Sequence, residues 1–335
     1  MIIAEISANH LGQLSKAKKL IEAAKEAGAD YVKFQHYTPE TITVKGRHPD
    51  LKIGGGSLWD GRTTWDLYEE AMMPWEWTAE LVSHCESVGI NWLSTPFDES
   101  AVDFLEDFSP PLYKIASFEI IDLPLIRYAA GTGRPLIIST GMATISEIDA
   151  AVEAAESSGA ASITLLRTNS GYPAPINEMD LSAIPEMKTR WGCSVGLSDH
   201  TIGSVAALVS VGLGATVFEK HFTLSRLDGG PDAAFSAEPK ELKEYVELLA
   251  AAQLSLGLAR FGPSAAEDAS IALRPSLRAI QDIEKGEFFT SDNVKSVRPG
   301  GGLPPDRMAE LLGKRSDRAI FRGDPILATD VVTRT

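Results

Sequence analysis

The feature that most limits how this chain can fold is a repeated order of short apolar runs and helical patterns. Eight runs stand out: "IIAEIS" (2–7), "DYVKFQ" (30–35), "INWLST" (90–95), "LYKIAS" (112–117), "PLIIST" (135–140), "SITLLRT" (162–168), "CSVGLS" (193–198) and "ATVFEKH" (215–221). Helical patterns lie between most of them, at 14–28, 78–89, 99–107, 122–131, 146–158 and 203–212. In the first of these, Leu20, Ile21, Ala24 and Ala27 fall on one face. The runs are rich in Val, Ile and Leu without strict alternation, as strands buried on both faces are. Eight such units predict a closed parallel (β/α)8 TIM barrel. An open doubly wound sheet is the competing architecture. It is disfavoured because "NHLGQL", after the first run, carries a single glycine where a dinucleotide fold needs several.

A barrel of this kind uses about 250 residues, and the chain has 335. The expected division is a barrel over 1–261, closed by a helix at 239–257, a small and polar linker over 262–273, and a β-rich module over 274–335. Inside that module "DIEKGEFFTSDNV" and "AIFRGDPILATDVV" look alike, which suggests an internal pseudo-repeat. Residues 36–75 form a long insertion after the second run, rich in glycine and aromatics. It reads either as a lid or as a surface excursion capping one barrel end.

Composition narrows the function. The chain is 44% apolar and 23% charged, so it folds. Its formal net charge of −15 argues against a nucleic-acid partner, which needs a basic footprint. A small anionic substrate stays open, because a few lysines in a cleft outweigh a distant acidic surface. No apolar run reaches the ~18 residues of a membrane span, so no membrane partner is expected. Cys85 and Cys193 have no metal or redox spacing, which fits a cytoplasmic protein.

Polar residues gather where the eight runs end. They are Asn9 and His10; Lys33 and Gln35; Ser94 and Thr95; Lys114, Ser117 and Glu119; Ser139 and Thr140; Thr168 and Asn169; Ser198, Asp199 and His200; and Glu219, Lys220 and His221. In a barrel these positions share the face where active sites form. Lys33 and Lys114 offer fixed positive charge, and Thr95, Ser117, Ser139 and Ser198 offer hydroxyls, a set suited to phosphate and carboxylate oxygens. Lys114 or Lys220 would instead serve as the nucleophile of a Schiff-base aldolase. His200 and His221 end neighbouring runs and are close enough to share a divalent ion, Mn2+, Mg2+, Co2+ or Zn2+. Catalytic or purely structural histidines are the other readings. Glu219 points the same way as His221 along a strand.

Nine motifs, in order along nearly the whole chain, resemble the sialic acid synthase family. They are "AEISANHLG", "VKFQ", "LSTPFD", "YKIASFEI", "IISTGMAT", "GYPAP", "GLSDHT", "EKHFTL" and "DGGPDAAFS". The C-terminal module resembles the family's SAF (antifreeze-protein-like) domain, and "LWDGRTTWDLYEEAMMPWEW" is similar to the branch that forms pseudaminic acid. The resemblance implies a transferase that condenses phosphoenolpyruvate with the open-chain aldehyde of an acetamido sugar, giving a nine-carbon 2-keto acid and phosphate. For this branch the sugar is 2,4-diacetamido-2,4,6-trideoxy-altrose; the N-acetylneuraminate and legionaminic acid branches use the same chemistry on other sugars. It further implies a Mn2+ or Mg2+ ion on His200 and His221. Phosphoenolpyruvate would lie on Lys33, Thr95, Lys114, Ser117, Ser139 and Ser198, and the sugar on Gln35, Asn169, Tyr172 and Asp232. Arg298 would reach the sugar from the other subunit of a domain-swapped homodimer. Glu119, beside Lys114 and Ser117, is the candidate for proton handling or water activation, with a group that only positions the lysine as the other reading. A catalytically silent coat-associated relative is the non-enzymatic alternative.

Three departures bear on the sugar. Leu11 stands where the sialic acid branch has an acidic residue, His36 replaces a threonine, and "RTNSGYP" brings in Arg167 and Asn169. An exposed loop position and a substrate contact are both open for His36.

Overall fold

The computed structural model describes residues 1–332. Two compact units divide at Gly257 and Leu258. The first is a closed barrel of eight parallel strands in chain order: β1 (Ile2–Glu5), β2 (Tyr31–His36), β3 (Asn91–Pro96), β4 (Tyr113–Ile115), β5 (Leu136–Ser139), β6 (Ile163–Thr168), β7 (Ser194–Asp199) and β8 (Val217–His221). β8 pairs with β1, Glu5 lying opposite His221. All eight expected strands form, within a few residues of the expected bounds.

Helices α1 (Leu14–Ala27), α4 (Thr78–Val88), α5 (Glu99–Glu106), α6 (Leu123–Gly131), α7 (Ile145–Ser157), α8 (Ala183–Trp191), α9 (Val205–Gly212) and α10 (Pro239–Leu256) run between the strands and after the last. Local chemistry sets their limits. Asp98 and Thr144 accept from the first backbone N–H groups of α5 and α7, and Gly28 and Gly89 end α1 and α4 in left-handed geometry. The helix α8 between β6 and β7 was not anticipated. Its mean hydropathy is low and only Ile184 and Met187 are buried, so its apolar stripe is narrow.

Strand alternation divides the barrel into two cores. Outward-facing residues pack with the helices, among them Ala4, Phe34, Ile115, Ile138 and Phe218. Inward-facing Ile3, Leu93, Leu112, Ile137, Leu166 and Val217 fill the lower interior. One step further along each strand the inward positions become polar: Glu5, Lys33, Thr95, Lys114, Ser139, Ser198 and Glu219. The barrel is therefore plugged by hydrocarbon below and open to chemistry above.

The insertion after β2 carries two short helices, α2 (Pro39–Ile42) and α3 (Thr64–Ala71), and a hairpin-like turn closed by the Lys52–Thr63 bridge.

In the second unit, β9 (Ser276–Ala279) and β10 (Val294–Val297) pair antiparallel. The pseudo-repeat is real and two-fold. Ile283 donates to the Ile320 carbonyl at 2.8 Å and Ile320 returns the bond at 2.9 Å. Matched positions pair likewise, Arg278 with Pro325 and Arg315 with Phe288. Leu277, Ile283, Phe289, Leu311, Ile320 and Ile326 form its core. Residues 262–273, expected as a plain linker, hold a helical turn, α11 (Asp268–Ile271), preceded by a Ser264–Glu267 capping box. A last short helix, α12, spans Met308–Leu311. Among the described residues no helix is long and apolar enough to cross a membrane.

Candidate active site

The polar layer is built around Glu219. Lys33 Nζ donates to its Oε1 at 2.8 Å, Lys114 Nζ to both of its oxygens at 3.1 and 3.0 Å, and Ser198 Oγ to Oε1 at 3.2 Å. Glu5 closes the cluster from β1, with its Oε2 2.6 Å from Lys33 Nζ and its Oε1 accepting from the Ser7 N–H. All four charged groups are buried, so each needs its partners. Burial opposes the charge on Glu219, but Lys114 and Lys33 outweigh it and hold the carboxyl well below its usual range. Burial likewise opposes the charge on Lys33, and Glu219 and Glu5 outweigh it, so Lys33 stays protonated. Lys114 is different. Burial and the charge of Lys33 bring it down to about 8 against the pull of Glu219. Burial raises Glu5, with Glu219 adding to the shift. Glu5 had not been singled out in the sequence, where it stands as a break in an apolar run.

Around this cluster lie hydroxyls without partners. Thr95 Oγ1, Ser139 Oγ and Ser170 Oγ are buried and make no hydrogen bond. Ser117 and Ser170 flank Gly141, where a Cβ would strike both hydroxyl oxygens. Glycine at 141 thus keeps a small space open beneath two hydroxyls. Buried, unpaired donors are costly unless something accepts from them. An anion with several oxygens supplies that.

His200 and His221 face each other across the mouth, ring centres 5.4 Å apart. His200 Nδ1 lies 2.8 Å from the Asn169 carbonyl. A carbonyl only accepts, so Nδ1 carries the proton and Nε2 keeps its lone pair. His221 Nδ1 is buried with no partner. Burial lowers His200 to about 4, and burial, helped by the unfavourable neighbourhood of a second imidazole should both take protons, holds His221 well below the usual imidazole range. Two neutral imidazoles with free lone pairs fit a divalent ion whose other positions are filled by water or substrate oxygens. Among the described residues no group of three or more His, Cys, Asp or Glu is arranged to hold a metal, so a larger protein cage is not what these residues offer.

The remaining expected residues divide into two groups. Gln35 is half-buried beside Thr95 in register. The Tyr172 ring stacks 4.3 Å from His200 and contacts Phe235. Asp232 accepts from Ser7 Oγ and the Ala8 N–H, and burial raises its carboxyl. Glu119 is pushed up to about 7 by burial, and its Oε2 is buried without a partner.

Asn169, by contrast, spends its side chain on the loop, donating to Glu178 O and accepting from Gly171 N–H. The hydroxyl of Ser170 is presented in its place. Arg167 faces out of the barrel and donates to the Met179 carbonyl. His36 is neither an exposed loop residue nor at the site. It is fully buried on the outer side of β2, hydrogen-bonded to Ser94 and Thr78. Lys220 also points outward and donates to Asp199 and to the Thr201 carbonyl, which removes it as a nucleophile in the barrel. Asn9 bonds Phe222 O and Ser236 Oγ, and His10 packs on Trp77. Arg298 is exposed, directly after β10 in the second unit.

Buried lysines among free hydroxyls, with neutral imidazoles above, equip a barrel enzyme that handles small anions. Comparison with known proteins makes the class specific. The chain belongs to the NeuB family, which matches residues 20–260, and its second unit matches the SAF domain over 274–332. A pseudaminic acid synthase of Campylobacter jejuni is 40% identical over 329 residues, covering 98% of this chain and 96% of the relative. An N,N'-diacetyllegionaminic acid synthase of the same species is 38% identical over 318 residues, covering 94% and 95%. The crystal structure of N-acetylneuraminic acid synthetase from Leptospira borgpetersenii in complex with citrate superposes with a TM-score of 0.71 at 32% identity, covering 81% of this chain and 89% of that one.

Proposed function

We propose that the protein condenses phosphoenolpyruvate with an open-chain acetamido sugar, most directly the 2,4-diacetamido-2,4,6-trideoxy sugar that leads to pseudaminic acid. The observation that carries this is the Glu219-centred pair of buried lysines, ringed by the partnerless hydroxyls of Thr95, Ser139 and Ser170. Phosphate and carboxylate oxygens would satisfy those donors together.

His200 and His221 would hold a divalent ion, Mn2+ or Mg2+, which when bound supplies positive charge to the aldehyde oxygen. Lys33 and Lys114, with Ser117 and Ser198 beside them, hold phosphoenolpyruvate so that its carbon 3 meets the aldehyde carbon. Carbon–carbon bond formation opens the aldehyde C=O bond, whose oxygen takes up a proton to become the product hydroxyl, and leaves carbon 2 electron-poor. Water adds there, and cleavage of the carbon–oxygen bond releases phosphate. Glu119, poised near neutrality, takes the proton from that water. Asp232 and Tyr172 orient the sugar, and Arg298 from the second subunit of a homodimer completes its binding.

Phosphate release and the mass of the nine-carbon product test the reading. Both are expected only with phosphoenolpyruvate, the acetamido sugar and a divalent ion together. Full turnover in EDTA would refute the metal role, and no product from any acetamido sugar would refute the reaction.

A further inference from the structure

The insertion after β2 ends in a built tip. Ile53 N–H bonds Arg62 O at 2.8 Å and Gly61 N–H bonds Ile53 O at 2.9 Å. The Asp60 carboxylate gathers the turn by accepting from Gly56 N–H at 2.8 Å and from Ser57 N–H and Oγ at 2.9 Å each. This fixes Trp59, whose Nε1–H donates to the Pro231 carbonyl at 3.0 Å. Its ring lies 5.6 Å from that of Tyr172, and Tyr172 in turn stacks on His200. Trp59 therefore stands one aromatic layer out from the histidines. Leu11 reaches the same loop. Its side chain covers Gly230, where a Cβ would strike it and where φ is +103°.

We infer that Trp59, with Leu11, forms an apolar wall that reads the far end of the acceptor sugar and selects a chain ending in a 6-deoxy methyl over one ending in a hydroxymethyl. This rests on the synthase reading. A sugar held by its aldehyde at the histidines extends outward past Tyr172, and its last carbon meets Trp59 and Leu11. A methyl there buries against hydrocarbon, whereas a hydroxymethyl loses water and gains no hydrogen bond from either wall side chain, because the only polar group of the two, the Trp59 N–H, is committed to Pro231. Tyr172 presents its ring to the same space, so the wall is continuous with the residues that orient the reacting end.

The test compares 2,4-diacetamido-2,4,6-trideoxy-altrose with its 6-hydroxy counterpart by kcat/KM. The wild type is expected to favour the deoxy sugar. Trp59→Ala should cut that ratio by about tenfold, the worth of a methyl group in an apolar pocket. The change should appear in the KM of the sugar and not in that of phosphoenolpyruvate, and Trp59→Phe should recover most of the ratio. A ratio unchanged in Trp59→Ala, or an equal loss for both sugars, overturns the assignment while leaving the synthase reading intact. No product from either sugar with the wild type overturns that reading and the assignment with it.

Discussion

Glu219 stays ionised inside a barrel because two lysines converge on it, and that arrangement sets the charge available to a substrate. Lys33 is held protonated by two carboxylates, so its charge is constant across ordinary pH. Lys114, at about 8, loses its charge as pH rises past that point. Glu119, at about 7, gains its charge as pH rises past neutrality. If Glu119 must be ionised to accept a proton and Lys114 must be charged to hold an anion, kcat/KM is bell-shaped with limbs near 7 and 8. Glu119→Gln is expected to lower the rate by about a hundredfold and to abolish the acid limb while leaving the alkaline one. The same substitution changes stability in a defined direction. The unfolded carboxyl ionises near its ordinary value, while the folded one resists until about 7. Stability relative to Glu119→Gln therefore falls across that interval and levels off above it. An acid limb that survives in Glu119→Gln would remove Glu119 from proton transfer.

Much of this was legible residue by residue. Lys33, Lys114, Ser139, Ser198 and His221 could be placed because each ends an apolar run and shares inward parity with its neighbours. Glu5 had the same parity, since it follows inward-facing Ile3 by two, but its partner Lys33 belongs to another strand. A register between strands is not written in either one. Ser170 and Asn169 sit in a loop with no period, so nothing local says which side chain turns inward.

At the scale of elements, alternation decides more than composition does. Gln35 and Glu219 face in, so His36 and Lys220 must face out, and their outward neighbours are structural. Lys220 ties β8 to the end of β7 through Asp199 at 2.9 Å and Thr201 O at 2.8 Å, with the Tyr245 ring beneath it. Asp199 and Thr201 flank His200, and Lys220 precedes His221. The ion pair thereby fixes the two strand ends that carry the imidazoles. Lys220→Met leaves the buried Asp199 charge without its partner and should cost about 3 kcal/mol in denaturant unfolding. It should also weaken Mn2+ binding measured directly by calorimetry, without shifting either limb of the pH profile. Borohydride with pyruvate should label neither Lys220 nor Lys114, because one lies outside the barrel and the other is clamped on Glu219. A trapped adduct on either lysine would restore the Schiff-base reading. The insertion after β2 belongs to the same scale. Its length and aromatic content marked it as a rim element, but only the fold shows that Trp59 and not Trp65 reaches Tyr172.

For the whole molecule, the two units have different logics. The barrel supplies every buried group of the candidate site. The second unit is a small pseudo-two-fold module whose repeats pair Ile283 with Ile320, and its one expected contribution to chemistry is the exposed Arg298. A sugar carrying amides and hydroxyls gains a planar, multidentate donor from such a guanidinium. If Arg298 serves the other chain of a dimer, the two activities separate genetically. His221→Ala spoils its own barrel but keeps a sound Arg298, while Arg298→Ala keeps a sound barrel. Each protein alone should turn over poorly. Co-expressed, or mixed after mild dissociation, they should form mixed dimers holding one competent site, made of the Arg298→Ala barrel and the other chain's arginine. Turnover should then rise well above that of either parent, with a sugar KM close to wild type. If Arg298 serves its own barrel, no mixed dimer holds both parts and mixing restores nothing. An Arg298→Ala protein with unchanged sugar KM would place the arginine outside the site altogether.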